Sequence, residues 1–122
     1  MIDSFVQEFE TKTSPCDRHW KHGDTLIKYR IEEPNIFWVK NVISLGNAFS
    51  FVRTIRFLCA LADKYDVTLA GWANPAPVGP SVTKNETFFI GLNLDRLLQL
   101  YAKFGFVASE LNGKTIVTRR SK

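Results

Sequence analysis

The sequence predicts a single-domain α/β (α+β) fold with a mixed sheet, flanking helices and a C-terminal β-hairpin. Its 122 residues can bury one hydrophobic core but are too few for two. In the middle of the chain a strand, a helix and a second strand follow one another, which implies a parallel pair with a right-handed crossover. A hairpin pattern near the end of the chain adds antiparallel pairing, so the sheet is expected to be mixed.

The composition is that of an ordinary soluble globular protein. Hydrophobic residues make up 45% and charged residues 23% of the chain, and ten phenylalanines with three tryptophans indicate an aromatic core. No apolar run is long enough to cross a bilayer, and the start of the chain lacks the charge and apolar stretch of a secretory signal. The net charge of +4 is too small and scattered to support nucleic-acid binding. We therefore expect no membrane association.

The two cysteines lie far apart in the chain. Cys16 falls in a polar segment, whereas Cys59 falls in an apolar helical pattern. Two reduced thiols in a cytoplasmic protein are the simplest interpretation of this spacing. We expect no disulfide between them.

The first third of the chain predicts a helix followed by two strands. The first dozen residues have apolar side chains at helical spacing, which favours a short amphipathic helix. Residues 13–24 are polar and are predicted as a loop. Residues 25–33 alternate in polarity and end before Pro34, as a strand does. Residues 35–45 are β-branched and aromatic at nearly every position, which is typical of a strand buried on both faces.

A change of period after Gly46 predicts the central helix. Phe51, Ile55, Leu58, Ala62 and Tyr65 share one face of a helix of about sixteen residues. A second buried strand is predicted at residues 67–73. Residues 74–86 contain three of the five prolines and are predicted as a loop.

The last third of the chain predicts a helix and a hairpin. Asn93 is a suitable N-cap for a helix over residues 94–103, and Gly105 suits the left-handed position that ends it. Residues 106–119 have the pattern of two strands around Asn112-Gly113, a pair that favours a type I′ turn.

The C-terminal segment "LLQLYAKFGFVASELNGKTIVTRR" joins a helix ending near Tyr101 to the pair Gly105-Phe106 and two strands. This segment resembles the last segment of the GCN5-related N-acetyltransferase (GNAT) family. The stretch from "IFWVKNVISL" to "RTIRFLCALADKYDVTLAGWANP" resembles that family's central strand, coenzyme-binding helix and splayed strand. The phrase "ALADKYDVTLAGWANP" is similar to compact members encoded by bacteriophages, which implies a host cytoplasm. The resemblance spans residues 24–120.

The resemblance implies a GNAT-like sheet in which parallel strands at 36–45 and 67–73 diverge at their C-terminal ends and hold acetyl-CoA in the gap. The hydroxyl of Tyr101 would then protonate the leaving thiolate as a general acid. The coenzyme-binding residues that the resemblance implies are Ile43, Leu45, Ser50, Arg53 and Asn74. An aromatic residue at position 101 is also compatible with a plain core role, because it shares a helical face with leucines.

The coenzyme loop departs from the family pattern. GNAT proteins have Arg/Gln-x-x-Gly-x-Gly/Ala before the central helix, where the glycines let backbone N–H groups approach the pyrophosphate. Here the segment is "SLGNAFSFVRT", and the two glycine positions fall at Phe49 and Phe51. Ser50 and Arg53 retain a hydroxyl and a positive charge for phosphate. Alternatively, Arg53 belongs to a solvated helix face, and the phenylalanines pack in the core or against a partner.

No general base is assigned from the sequence. Many GNAT proteins use a carboxylate on or near the central strand to deprotonate the amine. This strand carries Lys40 and Asn41 but no carboxylate, and the positions of Glu32, Glu33 and Glu86 relative to it do not follow from the sequence.

The segment after the first helix contains three candidate zinc ligands. Cys16, His19 and His22 recur at three-residue intervals and would line one face of a helix, and thiolate and imidazole suit zinc. Pro15 and Gly23 oppose a helix there, and the chain lacks a second ligand cluster at a recognised spacing. We therefore predict no metal.

Two functions from different classes follow. The first is a small GNAT-type, acyl-CoA-dependent N-acetyltransferase that acts on an amine of a protein or small molecule. The second is a catalytically degenerate binding protein on the same fold, an inhibitor or adaptor that contacts a protein partner. The retained tyrosine and Gly-Phe pair favour the enzyme, whereas the glycine-poor loop favours the binding protein.

Overall fold

The computed structural model describes residues 2–44, 48–73 and 94–121 and has a mixed α/β architecture, as predicted. The helices are α1 (Ile2–Lys12), α2 (Ala48–Tyr65) and α3 (Leu94–Lys103). The strands are β1 (Ser14–Cys16), β2 (His19–His22), β3 (Thr25–Glu32), β4 (Ile36–Ser44), β5 (Thr68–Trp72), β6 (Val107–Leu111) and β7 (Lys114–Arg119). The strands form one seven-stranded sheet in the order β1-β2-β3-β4-β5-β7-β6.

Some sequence predictions fall outside the described residues. These are the loop at 74–86, the N-cap Asn93, the site residues Leu45 and Asn74, and Glu86. The side chain of Phe49 is likewise outside the described part of the structure.

The core lies between the sheet and the helices and is largely aromatic, as the composition predicts. Phe5 and Phe9 of α1 are fully buried and pack on Phe37 of β4, with ring centroids 4.7 and 5.2 Å apart. Helix α2 packs beside α1, and its Phe57 ring lies 6.2 Å from that of Phe9. Phe37 and Trp38 are neighbours that point to opposite faces of the sheet, and both are buried. Burial on both faces, predicted for this strand, is thus confirmed at its start.

The predicted loop at residues 13–24 is wrong, because this segment forms an antiparallel hairpin of β1 and β2. Asp17 and Arg18 make the turn with φ values of 48° and 65°, a pair of left-handed residues as in a type I′ turn. Cys16 pairs with His19 across it. Asp-Arg lacks the glycine that usually marks such turns, so the polar sequence conceals the hairpin.

The predicted C-terminal hairpin is confirmed. Strands β6 and β7 pair from Val107–Thr118 to Leu111–Lys114. Asn112 and Gly113 have φ values of 53° and 78°, as the predicted type I′ turn requires.

Strands β4 and β5 are parallel, as predicted, but they pair only over part of their length. The pairing runs from Ile36–Thr68 to Val39–Gly71, whereas β4 continues to Ser44 beside β3. An irregularity opposite Lys28 and Tyr29 leaves Lys40 as an extra residue in β4, a β-bulge of the kind that bends a strand. A gap therefore opens beside β4 after Val39.

Gly71 allows the close approach of the two strands where their pairing ends. A Cβ atom at this position would lie 3.0 Å from the carbonyl oxygen of Val39, which is tighter than ordinary contacts. A side chain there would therefore push β5 away from β4.

Among the described segments, no helix combines the length and the apolar character that crossing a bilayer requires.

Candidate functional site

A cavity of about 170 Å³ occupies the gap where β4 and β5 separate. We call its most buried side chains the cavity floor: Phe51, Ile55, Leu58, Leu69, Leu97 and Val117, each at most 4% exposed. We call three further lining residues the cavity rim: Lys40, which is exposed, and Asn41 and Trp72, which are half-buried. Helix α2 and helix α3 close the space over one face of the sheet. The cavity is therefore a product of the strand–helix–strand unit and of the helix that follows it.

Few polar side chains are found among the described residues that line the cavity. Lys40 and Asn41 line it at the bulge of β4, and the phenol of Tyr101 lines it from α3. No carboxylate is among the described residues that line it. The cavity can thus surround an apolar group and offer hydrogen bonds at its opening.

Tyr101 is fixed by aromatic contacts on two sides. Its ring meets that of Phe51 edge-on, with centroids 6.0 Å apart, and lies 5.0 Å from that of Phe106. Burial raises the pKa of the Tyr101 hydroxyl well above its usual value. The phenol therefore keeps its proton at physiological pH and is available as a hydrogen-bond donor.

The end of α3 explains why Tyr101 is followed by Gly105 and Phe106. The N–H of Phe106 donates to the carbonyl of Tyr101 at 3.1 Å, and the N–H of Gly105 donates to the carbonyl of Ala102 at 3.0 Å. These are the two hydrogen bonds of a Schellman motif, in which the glycine takes a left-handed conformation. Gly105 has φ 91°, which confirms the predicted helix end.

The predicted coenzyme residues fall into separate places. Ile43 pairs with Leu26 in β3 and does not line the cavity. Ser50 and Arg53 lie in the first two turns of α2, also outside the cavity lining. Arg53 is exposed and acts electrostatically on His22. Of the predicted site residues that are described, only Tyr101 lines the cavity.

Phe51 lies inside α2 and not in a loop before it. The helix begins at Ala48, so Phe51 belongs to its first turn, and its side chain is 1% exposed. This burial agrees with the core-packing interpretation. The ring forms part of the cavity floor and contacts Tyr101, so it shapes the site as well as the core.

Among the glutamates considered as bases, Glu32 lies at the last residue of β3. Glu32 pairs with Ile36, the first residue of β4, and does not line the cavity. Its carboxylate lies 3.3 Å from the guanidinium of Arg30. Glu32 is therefore unsuited to deprotonate an amine at the cavity.

Sequence reasoning missed the role of Lys40 and Asn41 at the rim. Their signal in the sequence is a pair of adjacent polar residues inside an otherwise apolar strand. Two consecutive residues of a regular strand point to opposite faces, so such a pair interrupts the pattern. The bulge provides the reason, because it makes one of them an extra residue.

The three residues weighed as zinc ligands do not converge. Because they lie in strands, His19 and His22 point to opposite faces of the sheet. The Nδ1 atom of His22 shares a hydrogen bond of 2.8 Å with the hydroxyl of Thr54 in α2, and its ring stacks on Phe57. Cys16 and Cys59 are both free thiols. Residues 2–44, 48–73 and 94–121 contain no cluster of metal-ligating side chains.

Comparison with known proteins assigns no family to this chain. No protein-family model matches the chain, and no curated protein matches it significantly.

Proposed function

We propose that this protein is a small, GNAT-type, acyl-CoA-dependent N-acyltransferase that acts on an amine of a protein or small molecule. The observation that carries the proposal is the cavity between parallel strands that separate after Val39 and Gly71, with the phenol of Tyr101 on its wall. A thioester that lay in this gap would be enclosed by the core and would face a fixed hydrogen-bond donor.

The described residues fit the parts of an acyl-CoA. The apolar floor suits the acyl group. Beyond Val39, the side of β4 that faces β5 has no described strand partner, so its backbone could form hydrogen bonds with the amides of the ligand. The first turn of α2 contains no acidic residue, and the exposed Arg53 follows it, which suits phosphate near the positive end of the helix.

When bound, an acyl-CoA would supply an activated acyl group, and its C–S bond would break as the amine formed the new C–N bond. The hydroxyl of Tyr101 would donate a hydrogen bond to the sulfur, where negative charge would develop in the transition state. The buried side chains of the floor exclude water and so protect the thioester from hydrolysis. The positive charge of Lys40 at the rim disfavours a protonated amine and favours the neutral form that can react.

The second candidate is a binding protein without catalytic activity. It is favoured by the lack of a carboxylate among the described lining residues, since a general base would ordinarily assist the amine. Such a protein would act as an inhibitor or adaptor through contact with another protein.

Calorimetric titration with acetyl-CoA and with free CoA tests the proposal, followed by assay of acyl transfer to lysine-containing peptides and polyamines. Saturable 1:1 binding is expected, with amide product that depends on Tyr101. Binding without turnover would favour the binding protein, and the lack of any binding would overturn the coenzyme site.

A further inference from the structure

The cavity floor offers no hydrogen bond to a ligand. Its side chains are aliphatic or phenyl groups, and those of Phe51, Leu58, Leu97 and Val117 are at most 3% exposed. A polar group that entered the floor would lose its hydrogen bonds to water without replacement. The part of a ligand that reaches the floor must therefore be apolar.

The backbone behind the floor is also occupied. Leu69 of β5 pairs with Phe37 of β4 on one side and with Arg119 of β7 on the other. Val117 of β7 is likewise paired on both sides, with Gly71 and Ala108. Because these N–H and C=O groups already have partners, they cannot bind amide or carboxylate groups. The amides of a CoA ester must then stay near the rim.

The volume of the cavity exceeds what an acetyl group requires. An apolar cavity of about 150 Å³ holds a benzene molecule, with its six carbons. The cavity here, with its rim, measures about 170 Å³, whereas an acetyl group has two carbons. An acetyl group alone would leave part of this space unfilled, and each lost contact weakens binding.

We propose that the cavity floor binds the chain of an acyl group of about four to six carbons, so that butanoyl-CoA to hexanoyl-CoA are preferred over acetyl-CoA. This inference rests on the proposed acyltransferase function and names its donor. The reaction is the same for each of these esters: the amine nitrogen bonds to the acyl carbon, the C–S bond breaks, and the thiolate takes up the proton that the amine loses. Leu58 of α2 and Leu97 of α3, which line the cavity, then limit the length of the acyl chain.

The experiment is a titration of the unmodified protein with CoA and its acetyl, hexanoyl and dodecanoyl esters. Each buried methylene should tighten binding about fourfold, so hexanoyl-CoA should bind at least about tenfold more tightly than acetyl-CoA. Dodecanoyl-CoA should bind no more tightly than hexanoyl-CoA, because its chain is longer than the cavity. Equal affinity for the acetyl and hexanoyl esters would overturn the inference alone. Failure of CoA and all its esters to bind would overturn the proposed function itself.

A matched pair of variants tests whether the acyl chain binds at the cavity floor. Leu58 and Leu61 lie in α2 with exposures of 2% and 3%, but only Leu58 lines the cavity. Leu58→Phe should abolish the preference for hexanoyl-CoA over acetyl-CoA, whereas Leu61→Phe should retain it. Loss of the preference in both variants, or in neither, would overturn the assignment of the acyl chain to the floor. The ligand series on the unmodified protein keeps the test valid if a variant fails to fold.

Discussion

Tyr101 and Phe106 make two contacts: a main-chain hydrogen bond of 3.1 Å and a ring contact with centroids 5.0 Å apart. The ring contact joins the residues at which a Schellman motif commonly buries an apolar pair. The end of α3 therefore sets the position of the phenol, and the start of the next strand depends on the same turn.

Replacing Gly105 with alanine should destabilise the fold. A Cβ atom at φ 91° is strained, and the expected loss in free energy of unfolding is about 1–2 kcal/mol. Urea denaturation measures this loss. Lys103→Ala, in the exposed last turn of the same helix, is the control and should change stability by less than about 0.5 kcal/mol. Equal effects of the two variants would contradict a role for the left-handed conformation.

Tyr101→Phe should separate chemistry from packing. If the proposed acyltransfer is right, the variant should lose about 10²-fold in turnover while its affinity for CoA esters stays nearly constant. Stability should change little, because no hydrogen bond of the phenol is seen among the described residues. Tyr65→Phe, which removes a phenol that donates to Glu8 outside the cavity, should keep full turnover. An unchanged rate in Tyr101→Phe would leave position 101 with a packing role only.

Asp63→Ala should lower the free energy of unfolding by about 1.5–3 kcal/mol, since the guanidinium of Arg119 would lose its hydrogen bonds to a charged partner. The guanidinium of Arg119 is 4% exposed, makes two hydrogen bonds of 3.0 Å to Asp63 and donates to the carbonyl of Phe104 at 2.6 Å. These bonds join β7, α2 and the end of α3. Chemical denaturation of the variant measures the loss.

The exposed pair of Arg30 and Glu32 provides the control for that measurement. Its atoms lie 3.3 Å apart, and both side chains are at least 41% exposed. Glu32→Ala should therefore cost less than about 1 kcal/mol. A similar loss of free energy of unfolding in Asp63→Ala and Glu32→Ala would show that the burial of Arg119 does not strengthen its interaction with Asp63.

Stability should fall as the pH is lowered below about 6.5, the usual pKa of histidine. Burial, and then the charge of Arg53, lower the pKa of His22 in the folded protein. The unfolded chain therefore takes up a proton at a higher pH than the folded one, and protonation favours unfolding until the folded pKa is passed. Thermal unfolding between pH 5 and 8 should show this slope, and His22→Gln should reduce it. His19→Gln retains His22 and should keep the slope; loss of the slope in His19→Gln instead would contradict the assignment.

Local signals predicted most of the fold. The period of apolar residues placed α1, α2 and the parallel strands, and Asn112-Gly113 marked the last turn. The hairpin before β3 was missed because its turn contains no glycine, and a left-handed conformation at Arg18 is not expected from its residue type.

The cavity was less predictable than the fold. Tyr101 was found through its neighbours Gly105 and Phe106, whose main role is to end a helix. The bulge at Lys40 arises from the register between two strands, and such long-range register leaves only a faint trace in either strand. The bond from Arg119 to Asp63 links residues far apart in the chain, so no local pattern predicts it.

Space that side chains leave unfilled weakens a domain of this size. The cavity of about 170 Å³ leaves the buried side chains that line it with fewer packing contacts than a filled core would provide. Domains are commonly stable by only about 5–15 kcal/mol, so selection for stability alone would soon close the gap. A library screened only for heat resistance should accordingly accumulate larger residues at Leu97 and Val117. The selected variants would be more stable but would no longer bind a ligand, because the larger side chains would fill the volume that the ligand needs.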